Sequence, residues 1–420
     1  MKINTASAKG TFDIIPQDMN LREWMKKTII DTYKKSGFEQ IETPSIENLD
    51  LLTKSEGGEN LNLLFKILKR GEKLDLSKEN LNEDDLCDLG LRYDLTLPLS
   101  RFYTNNREHL PNPFKAIQTG WVWRAERPQK GRFRQFTQCD IDIMGEKSEI
   151  AEIELITTTA RALQALSFKN FTVKINDRRL LKSVILSLGF KDEEVGSLCI
   201  SLDKMDKVGM EGVKKELLAK DYDEDQVTKF LASLEDLKGL DEKTLAKYNI
   251  EEDVLQSLKN VIAVVKNQAK GQYDIEFDVT LIRGMGYYTG QIFEIVSNEF
   301  GSSIAGGGRY DKMIGRFQKE DVPAVGFSIG FERIFQMLKE TNFEVPESVE
   351  KIALIFNTNE DINAVLEWAN DLRSEGKIVS VFPKHKKFSK QMNNLQKQNF
   401  GFYGLCSNGE KEELTSLSQE

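Results

Sequence analysis

The stretch TGWVWRAERPQKGRFRQFTQCDIDIMG, Thr119–Gly145, constrains the fold of this chain more than any other. Two runs of alternating side chains flank Arg127–Gly131, whose proline and glycine read as a loop, so the segment predicts a long hairpin and with it an antiparallel sheet. The hairpin places Arg124 on one arm and Gln138 and Asp142 on the other, four positions apart on one strand face. Arginine suits phosphate because its planar donors reach two oxygens at once, and Gln138 with Asp142 suits a polar or cationic group. From the residues alone, a charged hairpin on a solvated edge fits as well.

The remaining elements follow from periodicity. Leu21, Trp24, Met25, Ile29, Ile30 and Tyr33 share one face of a helix over 19–36 that ends near Gly37, and Phe38–Pro44 reads as a strand running into an irregular edge. Glu56–Asp88 is mostly polar and reads as a surface excursion with short helices. Leu91–Leu97 alternates and predicts a strand, Glu149–Leu166 a helix, and Phe171–Ile175 a strand. Apolar stripes at helical spacing then dominate to Gln268, which predicts an inserted helical domain over 178–268. Strands resume at Tyr273–Leu281 and Gly290–Val296, a glycine-rich turn is expected at Gly306–Gly308, and AVGFSIG reads as a strand leading into a helix from Phe331.

The polar interval 339–346 reads as a linker, and 347–420 as a small α/β domain. Residues 1–177 and 269–338 then form two parts of one domain around the helical insertion. A length of 420 residues already exceeds one ordinary core.

Composition narrows the function. No apolar run approaches the roughly 18 residues that cross a bilayer, and the N-terminus has no apolar leader, so the expected location is cytoplasmic, with no membrane partner. Four scattered cysteines and two histidines make neither a disulfide framework nor a zinc site, and no metal ligand is assigned. A net charge of -9 argues against a broadly basic nucleic-acid surface, although Arg127–Arg134 and Lys384–Lys390 supply local basic patches. The P-loop pattern is missing, so a bound nucleotide needs another geometry.

Several segments resemble one family in the same order. Trp121–Gly145 resembles the motif 2 hairpin of class II aminoacyl-tRNA synthetases, in the form found in histidyl-tRNA synthetases. The resemblance implies that Arg124 contacts the α-phosphate of ATP, that the loop with Arg127 and Arg132 approaches ATP and the tRNA acceptor end, and that Gln138 and Asp142 bind histidine. LRYDLTLPLSRF, Leu91–Phe102, resembles the substrate-binding segment in which Asp94 holds the α-ammonium group and Thr96 assists; on residues alone Asp94 fits a strand edge or turn equally.

RGMGYYTGQIFEI, Arg283–Ile295, resembles the histidine-specific signature, with Arg283 near the reacting groups and Tyr287 and Tyr288 lining the amino-acid pocket; paired tyrosines also fit core packing. Gly286 stands where the family often has an acidic or amide residue. AGGGRYDKMIG, Ala305–Gly315, resembles the segment closing the histidine and adenine pocket, with Tyr310 an imidazole contact, and VGFSIGFERI, Val325–Ile334, resembles motif 3, where Arg333 binds the γ-phosphate. As a bare sequence, Arg333 reads equally as a solvent-facing helical residue.

GFEQIETP, Gly37–Pro44, resembles motif 1, which supports a dimer, and KGTFDIIP, Lys9–Pro16, the family's N-terminal segment. Residues 347–410 resemble the anticodon-binding domain more weakly, with its final strand and helix shortened or absent. The implied fold class is α+β, a class II antiparallel sheet flanked by helices, with a helical insertion and a small α/β C-terminal domain. The implied reaction joins histidine to ATP with Mg²⁺ and then transfers it to histidine tRNA, in a homodimer. The competing reading is a non-catalytic, synthetase-like regulatory subunit of histidine biosynthesis, and retention of Arg124, Arg283 and Arg333 favours the enzyme.

Overall fold

The computed structural model describes residues 3–54, 62–77, 79–129, 131–239, 242–282, 287–346, 349–359, 361–407, 410–411 and 413–417. Arg283 and Gly286 lie outside them. The chain divides into two compact units, Met1–Phe343 and Glu344–Glu420.

An eight-stranded sheet organises the first unit. Its strands are β1 (Glu39–Gln40), β2 (Phe114–Trp123), β3 (Gln135–Met144), β4 (Phe171–Asp177), β5 (Asp274–Phe277), β6 (Gln291–Ser297), β7 (Ser302–Arg309) and β8 (Ala324–Ile329), in the spatial order β1-β2-β3-β8-β7-β6-β4-β5. The interior pairings are antiparallel, and a parallel pair closes each edge. The hairpin is as the alternation predicts: β2 and β3 pair over their whole length, from Phe114 opposite Met144 to Trp123 opposite Gln135.

Helices pack on both faces, the one over Thr96–Asn106 lying with Phe114, Ala116 and Met144 on the strand face that also carries Asp142. They are α1 (Pro16–Lys34), α2 (Thr96–Asn106), α3 (Ile150–Ala165), α4 (Glu252–Ala269) and α5 (Phe331–Glu340). Pro16 opens α1, and Leu21, Met25, Ile29 and Tyr33 recur at four-residue spacing and are all buried. Gly37 follows the helix at φ +81°, a backbone state that glycine adopts without steric penalty. α1 packs on α3 and on the hairpin, and α3 packs on α4. Between Arg178 and Ala269 the described residues form only helices and turns. Among the described residues no helix is long and apolar enough to cross a membrane.

Three expectations change. Leu91–Leu97 is not a strand: the strand is Cys87–Leu91, and Thr96 opens helix α2. Its alternation misleads because Tyr93, Leu95 and Leu97 are buried around a turn rather than along one strand face. The polar excursion contributes to a three-stranded antiparallel sheet of Ile46–Asn48, Cys87–Leu91 and Phe65–Leu68, tied to α2 by a two-pronged Arg101–Glu47 pair at 2.7 and 3.0 Å. Gly306–Gly308 is not a turn but the middle of β7, between two neighbouring strands. A Cβ on Gly307 would lie 2.0 Å from the carbonyl oxygen of Gly326, so close strand approach is what demands glycine there.

The second unit has a parallel core of Lys351–Phe356 between Ile378–Pro383 and Phe402–Ser407, extended by short antiparallel strands at Glu410–Lys411 and Thr415–Ser416. Ile352 and Leu354 face the Ile362–Ser374 helix through Val365 and Trp368, whereas Ala353 and Ile355 face the Phe388–Lys397 helix through Leu395. A central parallel strand buried on both faces reads as an unbroken apolar run, as KIALIF does.

Candidate active site

Alternation along β3 builds the floor of a cleft of about 590 Å³. Gln138, Asp140 and Asp142 project from one face into the cleft, while Cys139, Ile141 and Ile143 are buried on the other. Asp94 and Thr96 line it from the turn entering α2, and Tyr287, Tyr288 and Tyr310 line it as well. Arg124, Arg132 and Arg333 also line it, whereas Arg127 of the hairpin loop does not, so the other described candidates converge on one space, although they span 240 positions of sequence from Asp94 to Arg333.

The polar chemistry is lopsided. Asp142 Oδ1 accepts from the Tyr310 hydroxyl at 2.6 Å, and Asp94 Oδ1 accepts from the Leu97 N–H at 3.3 Å. Asp142 Oδ2, Asp94 Oδ2 and Gln138 Oε1 are buried and have no hydrogen-bond partner among the described residues. Three partnerless buried acceptors favour a ligand rich in N–H donors, because leaving each unmade costs roughly 1–3 kcal/mol. Burial lifts the Asp94 carboxyl to about 6, against the pull of Leu97 and Arg124. Burial likewise lifts Asp142 to about 7, with Tyr310 opposing and Asp94 adding to the rise. Asp140 is also raised, by burial first and then by Asp142, and Tyr310 is raised by burial and by Asp142 beside it. Carboxylates held this close to neutrality are primed to gain from a cation.

Cations line the same cleft. Arg124 follows β2, donates from Nε to the Tyr93 carbonyl at 3.0 Å, and stacks on Phe136 with its guanidinium carbon 5.1 Å from the ring centre. Arg333 stands in the first turn of α5 and donates to the Ser303 carbonyl. Arg132 is bridged to Gln129 across the hairpin loop. The tyrosines pack edge to face, Tyr287 with Tyr288 at 4.8 Å and with Tyr310 at 6.0 Å, so they serve the wall and its packing at once.

Two contributions escape the sequence reading. Arg22 on α1 is buried and grips Glu332 of α5 with both terminal nitrogens, at 2.6 and 2.7 Å, and also reaches Thr137 Oγ1 at 3.0 Å. Its signal was present: Arg22 falls on the stripe of Met25, Ile29 and Tyr33 that the helix buries. Asp140 is the other; it lies between Gln138 and Asp142 on their strand face and binds Ser328 of β8.

The comparisons agree with this geometry. The family model described as histidyl-tRNA synthetase matches residues 10–334. A histidine–tRNA ligase of Leifsonia xyli subsp. xyli is 41% identical over 392 residues, covering 89% of this chain and 88% of its own. The crystal structure of histidyl-tRNA synthetase from Nostoc sp. PCC 7120 superposes with a TM-score of 0.80 at 26% identity, over 99% of this chain and 95% of that one. A Bacillus halodurans structure described as an ATP phosphoribosyltransferase regulatory subunit/histidyl-tRNA synthetase shares the fold alone, with a TM-score of 0.74 at 19% identity over 94% and 97% of the two chains. Because the family match runs from the N-terminal segment into the helix that carries Arg333, it takes in every wall of the cleft, and this chain belongs to the histidyl-tRNA synthetase family.

Proposed function

We propose that the cleft activates histidine with ATP and then passes it to histidine tRNA, and that the residues named above divide that work. The chain is an ATP-dependent histidine–tRNA ligase of class II. The observation that carries the division of roles is the set of partnerless acceptors on Asp94, Gln138 and Asp142 in one cleft with the arginines Arg124, Arg132 and Arg333. The first suit the ammonium and imidazole N–H groups of histidine, and the second suit phosphate.

Asp94, Thr96 and Gln138 take the α-ammonium group, and Asp142 with Tyr310, Tyr287 and Tyr288 takes the imidazole. Histidine's carboxylate oxygen then attacks the α-phosphorus of ATP, the bond to the bridging oxygen breaks, and pyrophosphate leaves with the electron pair. The attacking group is already an anion, so no protein base is needed, and catalysis rests on alignment and on charge compensation. Arg124 and Arg283 provide that compensation at the α-phosphate. Arg132 and Arg333 hold the outer phosphates, Arg333 from a helix N-terminus that itself favours anions. Mg²⁺ arrives with ATP as part of the substrate and would be held partly by ATP oxygens, where it would offset phosphate charge. In the second step a hydroxyl of the tRNA's terminal ribose attacks the histidyl carbonyl, loses its proton, and AMP leaves.

The division of the chain fits this reading: residues 1–177 and 269–338 as the two catalytic parts, 178–268 as a helical insertion, 339–346 as a linker and 347–420 as a shortened anticodon-binding domain. A homodimer supported by Gly37–Pro44 and a cytoplasmic place of work belong to the same proposal. Histidine-dependent exchange of pyrophosphate into ATP, followed by charging of tRNA, tests it. Folded protein that binds histidine and gives no exchange would overturn the catalytic reading and leave the regulatory subunit.

A further inference from the structure

Asp140 and Ser328 both line the cleft, and neither has a role in the scheme above. They stand directly opposite each other on β3 and β8, and the Ser328 hydroxyl is hydrogen-bonded to Asp140 Oδ1. Gln138, on the same strand face, places its amide Nε2 on that same hydroxyl at 3.2 Å. A serine hydroxyl has one proton to give and lone pairs to accept with. An ionised carboxylate can only accept, so with Asp140 ionised the proton goes to it, and the oxygen is left to accept from Gln138. The NH₂ end of the amide must then face Ser328. Its carbonyl Oε1 must face away, and it is buried with no hydrogen-bond partner among the described residues.

We propose that Asp140 and Ser328 form a relay that fixes which end of the Gln138 amide meets the substrate, making Gln138 an acceptor for the α-ammonium group. The inference rests on the reading of Gln138 as a histidine-binding residue. Both relay members are positioning residues, since they act through Gln138. The relay has a direction: a neutral side chain at position 140 that donates to Ser328 turns the hydroxyl proton toward Gln138, reverses the amide and sets donor against donor. Cys139 and Asp142 on the same strand, Asp94 and Arg92 on the segment before α2, Arg124 beside the hairpin, Tyr310 after β7 and Tyr33 of α1 are ionisable groups around Asp140. Burial, Asp142 and Asp94 hold the Asp140 carboxyl up, whereas the Ser328 hydroxyl, Arg124 and Arg92 favour its ionised form, and the entering ammonium group adds to them, so the relay is set as the substrate binds.

The test measures KM for histidine and for ATP in pyrophosphate exchange, with two competitors. Histidinol keeps the ammonium group and lacks the carboxylate; imidazolepropionate keeps the carboxylate and lacks the ammonium group. Ser328→Ala removes one hydroxyl and no charge. It is expected to raise KM for histidine about tenfold, to leave KM for ATP within about twofold, and to cut the preference for histidinol over imidazolepropionate by a factor similar to the first. Asp140→Asn is expected to cut that preference further. If Ser328→Ala leaves the preference intact while Asp140→Asn abolishes it, Asp140 acts through charge and the relay is overturned. A parallel rise of both KM values in Ser328→Ala overturns it too, as a structural effect. Gln138→Leu separates the underlying reading: an unchanged histidine KM there sinks the assignment of Gln138 itself, whereas a raised one beside an inert Ser328→Ala sinks only the relay.

Discussion

Replacing Arg22 by methionine tests what the buried pair beneath the cleft does for the fold. The guanidinium and the Glu332 carboxylate are 4% and 6% exposed, so water screens neither. Both terminal nitrogens of Arg22 bind the carboxylate, and the rings of Trp121, Phe331 and Phe335 lie 4.8–5.4 Å from its guanidinium carbon. Methionine fills much of the same space but leaves Glu332 buried with the Thr137 N–H, 3.0 Å away, as its remaining donor of those the structure pairs with it. Breaking one side of such a pair costs about 3–5 kcal/mol, because the surviving charge has lost both water and partner. For a cooperative unit the size of Met1–Phe343, an unfolding entropy of about 2.1 cal/mol/K per residue sums to about 0.7 kcal/mol/K, so the melting temperature should fall by about 4–7 °C. Glu332→Leu alone should destabilise similarly, whereas the double variant should recover most of the loss, since no charge is then stranded. Calorimetry on the four proteins, with KM for ATP measured alongside because Glu332 precedes Arg333, gives the cycle. A double variant no more stable than the weaker single, or Arg22→Met within about 1 kcal/mol of the parent, would refute the argument that a stranded charge dominates.

Further outcomes follow from the same geometry. A Cβ on Gly326 would sit 2.0 Å from Asp142 Oδ1 and 3.1 Å from Tyr310, so Gly326→Ala should displace the carboxylate and lower kcat/KM for histidine by about 100-fold while sparing KM for ATP. Exchange kinetics with each substrate varied in turn check this, and equal effects on both substrates would contradict it. Arg283→Ala should reduce the exchange rate at saturating substrate by about 100- to 1000-fold with an unchanged circular dichroism spectrum; a lost spectrum would assign Arg283 to packing instead. Asp94 and Asp142 titrate near about 6 and about 7, above the usual 3.8, so between those values the folded protein holds protons that the unfolded chain has released. Their contribution to stability therefore falls as pH rises from about 4 to about 7, and Asp94→Asn with Asp142→Asn should flatten that part of the melting profile. Binding has the opposite sign. The ionised carboxylates accept from ammonium and imidazole, so kcat/KM for histidine should rise over the same interval, and a profile that falls there would sink the two assignments.

How far the chain could be read depended on whether a signal was local. The β2–β3 hairpin was legible because each arm alternates over ten residues around a loop of its own, and α1 because its apolar positions recur at helical spacing before Gly37. The candidate residues were legible as types in an order, by resemblance. Their meeting in one cleft was not, since Asp94, Asp142, Tyr310 and Arg333 are brought together by a strand order that inserts β8 and β7 beside β3.

The sequence by itself determined the antiparallel hairpin, the helical stretch between the strands, and the presence of phosphate-type and ammonium-type groups in family order. Tertiary structure decided what those residues are next to. Thr96 opens a helix rather than extending a strand, because Asp94 and the core around Tyr93 and Leu95 turn the chain there. Gly306–Gly308 fills a strand rather than a turn, because neighbouring strands leave no room for a Cβ at Gly307. Arg22 with Glu332, and Asp140 with Ser328, are joined across 310 and 188 positions of chain. Periodicity is imposed by near neighbours and can be read along the chain, whereas these pairs exist only once the sheet's register has been chosen, and the hairpin meets the rest of the cleft only when β8 pairs with β3.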